Sequence, residues 1–378
     1  MVSNSVRTWR VNFKTLSLPR FAPRLRPRRA IAATAYLQRN RTVALFLVGL
    51  ITLDLSVGLF HDLWQRHSPD DYAWRVQACQ ERRPDLVLVG GSPVAEGLNP
   101  SVVAGTDSDR HGFNLGMSGG TTSDFYHAVI HACPAPPRVL VYGITASDLN
   151  DSRGEPHGPH SLMTWNDLAG WVRTRPEASE WVVRHFLRGK LERISNLFHY
   201  RYSIRLWAAI KVNDAFPGGS PLTLKEAEEQ RDYAAGLVSG NGYSPLKGFE
   251  HAHFSEFKKI GAKGTRFDHL HYLHNYRTGS HLKYLTKLID WCEANRVTLI
   301  LLDMPVTADL ERMYAKEFAE FRLRLGEVER ERGLRVLRPT RAELRLEDEQ
   351  FADLIHMNRD GANRLSTWLA SKLEWSPR

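Results

Sequence analysis

Asp85-Leu-Val-Leu-Val-Gly-Gly-Ser-Pro93 is the stretch that decides the fold. Four β-favouring apolar residues run without alternation into two glycines, the pattern of a short strand buried on both faces, as in a parallel sheet. Similar runs recur at Gly112–Leu115, Arg138–Ile144, Thr298–Asp303 and Leu334–Leu337, so together with Asp85–Gly90 five strands are expected. Between and after them lie amphipathic helical stretches, Ser123–Cys133, Leu282–Asn295, Asp309–Arg332 and Ala362–Leu373. Strands alternating with helices predict an α/β class: a parallel sheet covered on both faces, with ligands bound beyond the carboxyl ends of the strands. Residues 151–280 break this rhythm and read as an insertion between the third and fourth strands, with helical pieces over Ser179–Ala209 and Leu222–Leu237.

The chain has 378 residues, 42% hydrophobic and 25% charged, which excludes wholesale disorder and a small disulfide scaffold. Its net charge of +9 is local, because residues 1–41 hold ten Arg/Lys and no Asp or Glu, leaving 41 basic and 42 acidic residues elsewhere. A body so nearly neutral has no bulk attraction for phosphate backbones, and nucleic acid is not an expected partner. The basic arm stands directly before Thr42–Phe60, TVALFLVGLITLDLSVGLF, whose one ionisable group is Asp54. At ~1.5 Å per residue this run just crosses a hydrocarbon core of ~30 Å. The positive-inside rule then predicts a cytoplasmic arm (1–41), a single-pass membrane anchor (42–60) and a domain (61–378) on the far side of the membrane.

Several segments can carry chemistry. Gly90-Gly91 presents Ser92 at the sheet's carboxyl edge; alone, such a serine reads most simply as a helix cap. Near the C-terminus Asp353-Leu-Ile-His356 sets a carboxylate three residues before a histidine. A nucleophilic serine needs a base to take its proton and a carboxylate to orient that base, and these residues supply all three roles. After the second strand Asn114-Leu-Gly116-Met-Ser-Gly119-Gly120-Thr121 offers glycines whose N–H groups can approach an oxyanion. After the third comes the polar loop Gly143–Asp151, in which Thr145, Ser147 and Asn150 are all candidate oxyanion side chains. The histidines His251, His253, His269, His271, His274 and His281 lack the His-x-x-x-His spacing that aligns two ligands on a helix face, so no metal is expected, and no other cofactor. Cys79, Cys133 and Cys292 are widely spaced and read as buried free thiols, with one bridge among them the alternative in an oxidising compartment.

Taken in order, the serine, glycine, third-loop and Asp-x-x-His segments resemble the four blocks of the SGNH (GDSL-like) hydrolase superfamily. The resemblance implies a flavodoxin-like three-layer sandwich, with Ser92 as nucleophile, His356 as base and Asp353 as its orienter. It also implies an oxyanion hole built from the N–H groups of Ser92 and Gly119 plus a third-block side chain. That block departs from the family's Gly-x-Asn-Asp: Gly143-Ile-Thr145-Ala146 stands there, and Asn150-Asp151 follows later. The form of the serine block, and the membrane helix, are similar to the branch of DltD-like and alginate O-acetylation-like proteins. That likeness implies an exported esterase or O-acyltransferase acting on an envelope polysaccharide beside a multi-span acyl-donor protein. A simple esterase or deacetylase, and an inactive scaffold on the same fold, are the alternatives.

Overall fold

A computed structural model describes residues 41–60, 63–64, 72–105, 110–153, 163–174, 179–215, 235–237, 239–243 and 273–374. Residues 1–40 of the basic arm, most of the helical piece expected at Leu222–Leu237, and His251, His253, His269 and His271 lie outside them. The chain divides into two units, Met1–Leu55 and Ser56–Arg378.

In the first unit the described residues are helical, part of α1 (Arg41–Leu59), and expose Val43, Leu45, Phe46, Val48, Ile51 and Leu55. Nineteen residues make about 28 Å of helix at ~1.5 Å per residue. Among the described residues no helix is long and apolar enough to cross a membrane.

The second unit holds five parallel strands, β1 (Leu86–Gly90), β2 (Gly112–Asn114), β3 (Val139–Ile144), β4 (Thr298–Asp303) and β5 (Arg335–Leu337), in the order β2-β1-β3-β4-β5. All five expected strands are present, and the most apolar of them, β1, β3 and β4, occupy the interior of the sheet. After α2 (Tyr72–Arg82) and β1 come α3 (Ser92–Gly97) and α4 (Pro100–Ala104), two short helices that strand periodicity did not reveal. α5 (Thr122–Ala132) links β2 to β3. The insertion between β3 and β4 carries α6 (Trp165–Thr174), α7 (Ser179–Ile194), α8 (Asn196–His199) and α9 (Arg201–Ala215). The single helical piece expected over Ser179–Ala209 is therefore three: the Ser195 hydroxyl accepts from Phe198 N–H and starts a new helix there.

α10 (Ser280–Ala294) leads into β4. The expected helix Asp309–Arg332 is two, α11 (Ala308–Met313) and α12 (Ala315–Arg332), broken where Tyr314 leaves helical geometry. α13 (Arg341–Leu344) and α14 (Arg359–Lys372) complete the chain's described elements. Because parallel crossovers are right-handed, leaving β1 in one direction and returning past it in the other puts helices on opposite faces. The packing agrees: α14 lies on α3 and α4, while α5 packs against α2 and α10. Between β1 and β3 the strand order reverses, which opens a crevice at their carboxyl ends.

Two apolar clusters lie apart from the sheet. Met163, Leu168, Val182, Phe186 and Tyr284 join the insertion to α10. Val57, Trp64 and Tyr200 form the other, where Trp64 Nε1 donates to the Val57 carbonyl at 2.8 Å and its ring meets Trp207 edge-on.

Candidate active site

At the end of β1 the backbone must turn sharply over β3. Gly90 has φ +152°, and a side chain there would strike the Gly143 carbonyl and Val94. The turn releases Gly91 as the N-cap of α3, and Ser92 and Pro93 enter the helix directly, which leaves the half-buried Ser92 side chain at the crevice.

The Asp353–His356 turn reaches it from the other end of the chain. Asp353 Oδ1 accepts the N–H groups of Ile355 and His356, both at 2.8 Å, so the carboxylate folds its own loop. Thr307 donates its N–H and its hydroxyl to the Leu354 carbonyl at 3.1 Å each, Phe351 bridges Met357, and Asn358 caps α14 through Gly361 N–H. Fixed on all these sides, the turn points His356 at α3. His356 Nδ1 lies 2.7 Å from Asp353 Oδ2, and Nε2 lies 2.7 Å from Ser92 Oγ. Ser92, His356 and Asp353, 264 residues apart at their extremes in the Ser92–His356 pair, are thus in one hydrogen-bonded line.

The ring is buried, and Glu96 Oε2 lies 3.8 Å from the same Nε2. Burial alone would lower the imidazole's pKa. The carboxylates of Glu96 and Asp353, with the Asp353 hydrogen bond, outweigh it and raise the value from 6.5 to about 9. Burial works the opposite way on Asp353 and would raise its pKa, but the adjacent imidazole and the hydrogen bonds it accepts hold it below the usual 3.8.

The glycine block is tied to α3 by Asn114, fully buried. Its amide donates to the Val94 and Leu98 carbonyls, both at 2.8 Å, and its oxygen accepts Gly116 N–H at 2.7 Å. Met117 N–H donates to Gly90 O at 2.8 Å, and Gly119 turns the chain with φ +72°. Thr122 then joins this block to the third, since its hydroxyl lies 2.9 Å from Tyr142 Oη and donates to Asp148 O at 2.7 Å.

Within the third block Thr145 caps a short 3-10 turn, Ala146–Leu149: its N–H donates to Asp148 Oδ2, and its hydroxyl lies 2.9 Å from that of Ser147. Asn150 is engaged elsewhere. Its amide donates to His274 O at 3.3 Å, and its oxygen accepts the N–H groups of Ser152 and Arg277. Asp151 accepts from Ser280 and His281 N–H, at 2.7 and 3.0 Å, and so caps α10. The Asn-Asp pair therefore closes the base of the insertion.

Two residues of this site carried little sequence signal. Glu96 follows Ser92 by four, the spacing that shares a helix face, but the reading of Ser92 as a helix cap gave the helix after it no extent. Asn114 stood in the glycine block as one polar residue among several. Among the described residues no cluster of His, Cys, Asp or Glu could hold a metal ion. No protein-family model matches the chain, and no curated protein is similar to it. What is shown is a parallel α/β fold.

Proposed function

We propose that this chain is a serine esterase or O-acyltransferase of the SGNH type, anchored in a membrane through its N-terminal helix. The observation that carries the reading is the Ser92–His356–Asp353 line, two contacts of 2.7 Å each, at the crevice where the strand order reverses. In the proposed reaction Ser92 Oγ attacks the carbonyl carbon of an acyl ester while its proton passes to His356 Nε2. The Asp353 carboxylate, on Nδ1, fixes the ring's tautomer and stabilises the imidazolium. The oxyanion is received by the N–H groups of Ser92 and Gly119 with a third-block side chain, Thr145, Ser147 or Asn150, as the further donor. Collapse expels the alcohol, which takes the proton from His356 and leaves an acyl-serine. A second hydroxyl, from water or a sugar, attacks that ester by the reverse sequence.

Transfer to an envelope polysaccharide, with the domain exported and a multi-span acyl donor beside it, is the form we favour. Support for the membrane comes from the sequence, where ten basic residues stand before the apolar run Thr42–Phe60, and from the exposed apolar side chains Val43, Leu45, Phe46, Val48 and Ile51 on α1; among the described residues no helix meets the length and apolarity of a spanning one. An inactive scaffold is the second reading, favoured by the third block, where Asn150 is committed to the insertion.

Labelling the full-length protein in detergent with a fluorophosphonate at pH 10, above the titration of His356 at about 9, separates these readings. Adduct on Ser92, absent from Ser92→Ala and His356→Ala, is the expected result. A folded protein without adduct at any pH moves the case to the scaffold.

A further inference from the structure

A second carboxylate stands beside the base. Glu96 lies four residues after Ser92 on α3, and Glu96 and His356 are both nearly excluded from solvent, with side chains 8% and 7% exposed. Glu96 Oε2 is 3.8 Å from His356 Nε2, the nitrogen that also contacts Ser92 Oγ. Asp353, from the ring's own turn, holds the opposite nitrogen. The imidazole is therefore set between two carboxylates, one at each nitrogen, in a site where little water screens them.

That arrangement acts against the serine. A neutral ring with its proton on Nδ1 can accept the Ser92 proton at Nε2, whereas an imidazolium has no lone pair there. Charge from Asp353 alone serves both the resting ring and the transition state. A second carboxylate on the Nε2 side adds to the resting imidazolium, so the basic form is withdrawn at neutral pH.

We propose that Glu96 is a positioning residue that keeps His356 protonated in the resting protein and so sets the pH at which Ser92 becomes a nucleophile. Loss of the Nε2 proton to solvent base leaves the neutral ring, which then accepts the Ser92 proton as the new C–O bond forms. The raised pKa of His356, about 9, is in accord with this. The half of the inference that concerns Ser92 rests on the function proposed above; the half that concerns the ring does not.

The experiment follows the His356 imidazole by nitrogen NMR in full-length protein, assigned with His356→Gln, alongside the pH dependence of fluorophosphonate labelling. In Glu96→Gln the midpoint should fall by at least about one unit, as expected for removing a charge within 4–6 Å. The alkaline limb of labelling should move with it. Labelling at pH 7 should rise roughly threefold to tenfold, because the gain in basic form exceeds the loss of basicity. Glu96→Asp, which keeps the charge, should lie nearer the parent. An unmoved midpoint in a folded Glu96→Gln protein overturns the proposal, whether or not Ser92 labels. A moved midpoint with no labelling at any pH leaves Glu96 governing the ring and instead overturns the serine-enzyme reading.

Discussion

His356 and His127 are both buried, and each has a carboxylate within 4 Å, yet they are held in opposite charge states. His356 is raised to about 9. His127, on α5, has Nδ1 3.8 Å from Asp167 Oδ2 and its ring against Tyr126 and Tyr284; there burial outweighs Asp167, and His131 and Lys287 add to it, so the value falls to about 4. The difference lies in what each carboxylate is doing. Asp353 gives one oxygen to its own backbone and the other to the ring at 2.7 Å, with Glu96 behind. One Asp167 oxygen, Oδ2, faces His127 at 3.8 Å while accepting the N–H and hydroxyl of Thr164, with side chain 20% exposed. Proximity to a carboxylate does not protonate a buried histidine; a direct hydrogen bond and a second charge do.

The comparison breaks hardest at Asp353. Asp353→Asn should carry His356 towards the neutral state of His127 and release its tautomer, and labelling of Ser92 at pH 10 should fall on the order of 10³–10⁴-fold. Mass spectrometry of the labelled serine against time measures it. A loss under tenfold would mean that the aspartate only folds its turn.

Next is stability at alkaline pH. A histidine at 6.5 unfolded and about 9 folded contributes stability that is fully present below 6.5 and is lost as pH rises through 9. The contribution is roughly 3 kcal/mol. Urea unfolding of the parent and His356→Gln at pH 6 and pH 10 should show the difference between them shrinking by an amount of that order. A constant difference would place the ring's charge outside the folding equilibrium.

His127 predicts the opposite slope. Its folded form resists protonation down to about 4, so between 6.5 and 4 the unfolded chain binds the extra proton and stability falls as pH falls. The effect approaches ~3 kcal/mol at its limit and is smaller where Asp167 accepts part of the charge. His127→Phe should flatten the acid limb of a urea-midpoint profile between pH 7 and pH 4. An unchanged limb would mean that other groups govern it.

Much of this architecture could be read before the structure because its decisive features are local. Leu86–Gly90, Val139–Ile144 and Thr298–Asp303 announce buried strands by lacking polar alternation, and Asp353-x-x-His356 carries its geometry within one turn. Glu96 and Asn114 could not be read so, because their roles depend on the extent of α3, a helix of six residues too short to show a periodicity of its own. Asn150 shows the reverse. Its place in the third block suggested an oxyanion donor, and its hydrogen bonds to His274 and Arg277, at the far end of an insertion whose path no local pattern specifies, could not be read from it.

That contrast supplies the smallest effect. Asp151 and Asp353 each accept two backbone N–H groups, but Asp353 also touches the histidine, while Asp151 caps α10 from across the insertion. Asp151→Ala should cost about 1–2 kcal/mol through the two donors it abandons at a helix N-terminus. Its labelling of Ser92 should stay within about twofold of the parent, since an interaction absent from the reacting groups leaves the barrier unchanged. Paired urea unfolding and labelling rates decide it. Should labelling fall as far as in Asp353→Asn, the base of the insertion would belong with the serine's machinery, and the division between an aspartate that folds and an aspartate that also works on a proton would have to be redrawn.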